Sequence, residues 1–187
     1  MTAEAPTFTI VAAGARSSGR TVLIHRLVKG TFHGSLPATI AVEMHACAFH
    51  HDGADSRLQL FDLSGQERFI PLAGMYLPKA DAVLLAFDTA CPDLAYIEAF
   101  HAFLTETAPA LPVYLVGTKT DQARCVAGVR AVEEWAASQG YPVLFCCSRT
   151  GENVGGVFGR IVADLRAKRE ERAPKHRGGW RSWGRKK

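Results

Sequence analysis

With 187 residues, 48% of them hydrophobic and 21% charged, the chain is long enough to bury one substantial core and too short for two ordinary domains. Its apolar runs reach about ten residues, short of the ~20 that a membrane-crossing helix needs, and its N-terminus lacks the basic and apolar blocks of an export signal, so a cytosolic protein is expected. The net charge of +4 is unevenly spread, because residues 172–187 hold seven Lys or Arg and no acid, leaving 15 basic against 18 acidic residues in the rest.

Strand-like and helix-like segments alternate along the chain. The run Phe8 to Ala13 reads as a strand, and Thr21 to Lys29 as a helix. Between them Gly14-Ala-Arg-Ser-Ser-Gly-Arg-Thr21 has the frame of a phosphate-binding loop, except that Arg20 stands where the signature has lysine. In this context the glycines allow backbone N–H groups to turn inward as a nest. The helix N-terminus adds partial positive charge aimed at the same anion. Two further strands, Ile40 to His50 and Ser56 to Phe61, flank His51-Asp-Gly-Ala-Asp55, whose Asp-Gly pair predicts an antiparallel hairpin. Next come a strand at Ala82 to Asp88, a helix at Leu94 to Glu106, a strand at Val113 to Gly117 and a helix at Val126 to Ser138. A strand at Val143 to Cys146 and a helix at Val154 to Arg169 complete the series. In the last helix Val154, Val157, Phe158, Ile161, Val162 and Leu165 recur at helical spacing and form one apolar stripe.

This alternation predicts an α/β fold with a mostly parallel sheet of six strands, one of them antiparallel, and helices on both faces. Residues 1–171 form the folded domain, and the Gly, Pro and like charges of residues 172–187 argue against an autonomous fold there. Cys47, Cys91, Cys125, Cys146 and Cys147 are scattered, odd in number and without metal-ligand spacing, which argues against a disulfide frame or a zinc site. His45, His50 and His51 cluster near the hairpin, lack the rest of a metal site, and are expected to face solvent.

Four more segments follow the loop in a telling order. Thr39 precedes the second strand; Asp62-Leu-Ser-Gly65 ends the third and continues as Gln66-Glu-Arg-Phe69; Thr118-Lys-Thr-Asp121 ends the fifth; and Cys147-Ser-Arg149 follows the sixth. With the phosphate loop they make the sequence resemble the Ras superfamily of P-loop GTPases from Thr7 to Arg169. Within it Pro37-Ala-Thr-Ile-Ala-Val-Glu-Met44 and Phe61-Asp-Leu-Ser-Gly-Gln-Glu-Arg-Phe69 resemble the Rab family most.

The resemblance implies a GTP/GDP switch that uses Mg²⁺. Gly14, Ala15, Arg16, Ser17, Ser18, Gly19, Arg20, Thr21 and Val22 would cradle the phosphates. Thr21 and Thr39 would offer oxygens to magnesium, with Asp62 acting through a metal-bound water. Gly65 would donate its backbone N–H to the γ-phosphate, and Gln66 would orient the attacking water as the catalytic residue. Thr39 would sense the γ-phosphate, so that residues 31–39 are ordered by GTP and released after hydrolysis. Asp121 would accept two hydrogen bonds from guanine, a pattern adenine does not offer. Lys119 and Phe32 would flank the base, with Thr118 in place of the usual asparagine. Cys147, Ser148 and Arg149 stand where the family has Ser-Ala-Lys, which alters the side-chain support of the base.

Two arginines are expected to slow the reaction. Arg20 replaces a compact ammonium by a planar guanidinium on a longer stem. Arg16 places a bulky side chain where it obstructs Gln66 and any incoming arginine finger; the alternative is that Arg16 itself acts as a finger. Met44, Phe61 and Tyr76 match the aromatic surface by which Rab effectors read the switch. Effectors, an exchange factor and a GTPase activator are the partners implied, acting on a monomer. No cysteine follows Cys147, so a prenyl anchor is not expected. The basic tail, with Trp180 and Trp183, suits weak contact with anionic membrane or nucleic acid. A cytosolic protein, peripheral at membranes or at a cilium or flagellum, in vesicular or ciliary transport, is the expected setting. The competing reading is a pseudo-GTPase, an interaction module that does not cycle nucleotide. A P-loop kinase or ATPase is disfavoured, since the Thr-Lys-x-Asp and Asp-x-x-Gly-Gln stretches have no role there.

Overall fold

The computed structural model, which describes residues 5–34 and 36–172, gathers the apolar runs into one six-stranded sheet. The elements are β1 (Thr7–Gly14), α1 (Arg20–Lys29), β2 (Val42–His51), β3 (Ala54–Leu63), β4 (Ala82–Asp88), α2 (Leu94–Thr107), β5 (Val113–Thr118), α3 (Val126–Gln139), β6 (Val143–Phe145) and α4 (Val154–Arg172). Strand order is β2-β3-β1-β4-β5-β6, and only the β2–β3 pair is antiparallel. The hairpin turns at Asp52 and Gly53, both left-handed with φ of 49° and 73°, which is the backbone a two-residue type I′ turn requires.

The chain leaves β1 in one direction toward β3 and in the other toward β4, so β1 marks the point where strand order reverses. Ligands of such sheets settle beyond the carboxyl ends of the strands at that point. All the motif loops lie there. β1, β4 and β5 are buried on both faces, which explains why Ala82-Val-Leu-Leu-Ala-Phe87 reads as a continuous apolar run without alternation. One core layer packs Leu23 and Ile24 of α1 and the α4 stripe against Ile10, Leu58 and Leu84. The other packs Tyr96, Ile97 and Phe100 of α2 and Val129 and Val132 of α3 against Val11, Leu85 and Leu115.

Three differences from the sequence reading have local causes. β2 begins at Val42 because Ala41 adopts a left-handed φ of 59° and Ile40 stands outside the sheet, 86% exposed. Residues 67–79 form two 3₁₀ stretches, Glu67–Met75 and Leu77–Lys79, that the sequence reading left unassigned. Pro71 lacks the N–H a longer regular helix would need, while Ile70, Ala73 and Leu77 still bury. α4 runs on to Arg172 past the end of its apolar stripe. Expectations for the basic tail with Trp180 and Trp183 lie outside the described residues. Among those described, no helix is long and apolar enough to cross a membrane, and all five cysteines are free.

Candidate functional site

The phosphate loop is held by close backbone packing. A Cβ on Gly14 would lie 2.4 Å from the Ala86 carbonyl oxygen, and one on Gly65 would lie 2.6 Å from the Arg16 backbone nitrogen, so both positions admit only glycine. The loop turns through Ser17 and Gly19 at φ of 60° and 79°, and α1 opens at Arg20 with no acid in its first turn. A helix N-terminus with no acid in its first turn carries uncompensated partial positive charge, which favours an anion. Ala15 through Val22, Thr39, Gly65, Gln66 and Lys119 together line a cleft of about 370 Å³. Arg16 is exposed and, with Gln66 and Tyr96, lines a second hollow.

Beneath this cleft Arg20 turns inward. Only 5% exposed, it donates from Nε to Asp62 Oδ1 and from Nη1 to the Gly14 carbonyl at 2.9 Å, while Nη2 lies 3.5 Å from Thr21 Oγ1. The other carboxylate oxygen, Oδ2 of the fully buried Asp62, accepts from Thr21 Oγ1 at 2.7 Å and from Thr39 Oγ1 at 3.2 Å. The two hydroxyl oxygens lie 3.0 Å apart. One arginine thus fastens the third strand to the loop, and Thr39 brings the segment before β2 onto the same carboxylate. A buried pair of this kind adds little net stability, yet removing one partner costs about 3–5 kcal/mol because the other charge is left uncompensated.

These oxygens suit a hard divalent cation. Neighbouring ligands on an octahedron with magnesium bonds of about 2.0–2.1 Å are about 2.9 Å apart. The Thr21 and Thr39 hydroxyl oxygens, the two expected to bind the ion directly, are 3.0 Å apart and match that edge, while Asp62 Oδ2, expected to act through water, accepts hydrogen bonds from them at 2.7 and 3.2 Å. The donor set therefore fits magnesium in type and spacing. What differs is charge, since the Arg20 guanidinium already neutralises Asp62.

The expected base-reading residues stand beside the cleft. The Thr118 hydroxyl, buried, donates to the Ser18 carbonyl at 2.6 Å and so ties the end of β5 to the phosphate loop. Lys119, with φ of 58°, extends its amine to Asp88 at 2.7 Å, a contact the sequence reading missed; an acid closing the apolar β4 was the available signal. Both oxygens of Asp121 are engaged, Oδ1 by the Cys147 thiol at 3.0 Å and Oδ2 by Arg149 Nε at 2.8 Å. Against the opposing effect of burial, the Cys147 hydrogen bond first, then the Asp121 backbone N–H and the Arg149 charge, hold this carboxyl below the usual aspartate range. Ser148 is buried with an Oγ that has no hydrogen-bond partner among the described residues. Phe32 is 37% exposed and, with Thr118, Asp121 and the residues 147–149, lies outside the lining of the phosphate cleft.

Met44, Phe61 and Tyr76 form one contiguous patch. Met44 and Phe61 are cross-strand partners in the hairpin, and the Phe61 and Tyr76 rings lie 4.8 Å apart. Met44 is 62% exposed, whereas the two rings are half-buried against the α2 side of the core. The histidines depart from expectation. His50 is exposed and pairs with Asp55 at 2.7 Å, but His51 folds over Gly159 of α4, and His45 turns inward beside His25. The reason is strand alternation: positions 45 and 51 share the face of β2 that α1 and α4 cover.

The geometry has counterparts in known proteins. The family model described as Ras family matches residues 9–167. Rab-34 of Mus musculus is 34% identical over 171 residues, covering 82% of this chain and 62% of that protein, and Rab-36 of Mus musculus is 31% identical over 171 residues, covering 82% and 60%. The Ras and EF-hand domain-containing protein homolog of Caenorhabditis elegans is 28% identical over 167 residues, covering 86% of this chain but 26% of the relative. The chain thus spans about a quarter of the length of the Ras and EF-hand relatives and about three fifths of the two Rab proteins. Phosphate loop, Asp-x-x-Gly-Gln stretch, strand order and these similarities agree: the chain belongs to the Ras family, as a Rab-like small GTPase.

Proposed function

We propose that this protein is a guanine-nucleotide switch with slow intrinsic hydrolysis, binding effectors in its GTP form and acting in intracellular transport. The single observation that carries the reading is the cleft itself, in which the phosphate loop, Thr39, Gly65 and Gln66 converge on one anion site at the strand-order switch of the sheet. Thr21 and Thr39 would hold magnesium directly and Asp62 would hold it through water, and the ion would supply positive charge that offsets the charge of the phosphates. Asp121 would read guanine once Arg149 moves aside, the backbone of Cys147, Ser148 and Arg149 would contact the guanine oxygen, and Lys119 and Phe32 would flank the base plane. Gln66 positions water for attack on the γ-phosphate. Turnover is slow because Arg16 crowds Gln66 and because Arg20, committed to Asp62, is not free to follow charge onto the transferring phosphoryl group. The patch of Met44, Phe61 and Tyr76 is the effector surface.

A specific observation favours a second reading as a pseudo-GTPase. Both carboxylates on which a switch depends already have an internal cationic partner, Arg20 for Asp62 and Arg149 for Asp121. Chromatography of nucleotide released from the denatured, freshly purified protein, followed by titration calorimetry with GTP, GDP and ATP, decides between them. The switch predicts bound GDP or GTP and a guanine preference of at least about 100-fold, the discrimination expected when two buried hydrogen bonds are matched or lost. An empty protein that prefers no base would leave only the interaction module. Partner binding that is equal with GDP and a GTP analogue would have the same meaning.

A further inference from the structure

Between α1 and the edge strand β2 lies a polar cluster that the nucleotide cleft does not use. His25 sits on α1 one turn beyond Thr21, and Glu43 and His45 occupy one face of β2, so helix and strand bring the three side chains together. One ligand-capable atom of each lies within 4.8 Å of the others. The imidazole rings meet edge to face, 5.2 Å between centroids, and Glu43 Oε1 is 3.8 Å from His45 Nε2. His25 Nδ1 and His45 Nε2 are buried without a hydrogen-bond partner among the described residues, and the His45 side chain is only 10% exposed. Ring nitrogens left in that state normally have a partner.

We propose that His25, Glu43 and His45 bind one divalent ion of the zinc class and thereby clamp α1 to β2. Two neutral imidazoles and a carboxylate, with a fourth position for water, are a ligand set zinc accepts. Two nitrogens disfavour magnesium and calcium, which separates this site from the all-oxygen set at Thr21, Thr39 and Asp62. Zinc bonds of about 2.0–2.2 Å place tetrahedral ligands about 3.3 Å apart, so the cluster tightens by up to about 1.5 Å on binding. Glu43, with its side chain 54% exposed, has the freedom to make that movement. α1 follows the phosphate loop and β2 follows the segment bearing Thr39, so an ion here fastens both ends of residues 30–41.

Competition of the tag-free, full-length protein against a chromogenic zinc chelator tests the site without reference to nucleotide. One zinc per chain is expected. His25→Gln and His45→Gln should each weaken it by at least about 100-fold, since losing an outer-shell partner alone costs 10–100-fold. His50→Gln, on the same strand but exposed and paired with Asp55, should leave affinity unchanged. Cobalt in place of zinc should show visible d–d bands without sulfur-to-cobalt charge transfer. Should either histidine variant fail to fold, the zinc-dependent rise in melting temperature of the wild type, abolished by Glu43→Gln, reads the same site at an exposed position. The proposal is overturned by a wild type that binds no zinc, by unchanged affinity in both histidine variants, by a thiolate charge-transfer band, or by a melting shift that persists in Glu43→Gln.

Discussion

At the scale of single residues, the chemistry of this site turns on what an arginine does where an amine is usual. A lysine amine is a point charge that serves one acceptor and moves to another at little cost, whereas a guanidinium spans several acceptors at once and is held by all of them. Arg20 is fixed in this way by Asp62, the Gly14 carbonyl and Thr21. Arg20→Lys is therefore expected to raise GTP affinity about tenfold or more and to make binding more dependent on magnesium, because Asp62 regains its free charge. Titration with a fluorescent GTP analogue with and without EDTA checks both. A second residue-scale prediction concerns the base. In the proposed switch the exposed Arg149, which holds Asp121 Oδ2, would compete with guanine for it, so Arg149→Ala should raise GDP affinity severalfold, leave ADP affinity unchanged and thereby widen the preference over ADP by the same factor, measured by calorimetry.

Elements carry these residues into register, and here hydrogen bonds between loops matter more than the loops' own sequences. The Thr118 hydroxyl joins the end of β5 to the Ser18 carbonyl of the phosphate loop, out of contact with solvent. Thr118→Val keeps the shape and removes the donor, leaving that carbonyl short of a partner. The expected cost is about 1–3 kcal/mol of stability by urea unfolding, together with faster loss of bound nucleotide. The strand positions and the hairpin were legible in the sequence, because apolar runs bounded by turn residues and the Asp52-Gly53 pair are local signals. The 3₁₀ stretches after Gln66 were not. Their turns form because Ile70, Ala73 and Leu77 find burial under α2, a nonlocal contact that no periodicity announces.

The whole molecule is a sheet with a core layer on each face, and both layers support the site from below. Phe158 of α4 is fully buried in the layer that also holds Leu23 and Ile24 of α1, the helix that opens the phosphate loop. Phe158→Ala should destabilise the protein by about 3–5 kcal/mol, lowering its thermal midpoint by roughly ten degrees, with nucleotide release accelerated through α1. Calorimetric scanning checks the first part and a nucleotide chase the second.

By itself the sequence determined the fold class, the order of motif loops and their family, because glycine spacing, apolar runs and turn pairs act over a few residues and their order along the chain is read directly. Only the tertiary structure decided where the charged side chains go. Arg20 and Asp62, 42 positions apart, become one buried pair, and His25 and His45 meet across a helix and a strand. Partners of that kind are chosen by desolvation and distance after folding, and neither quantity exists until the chain has closed.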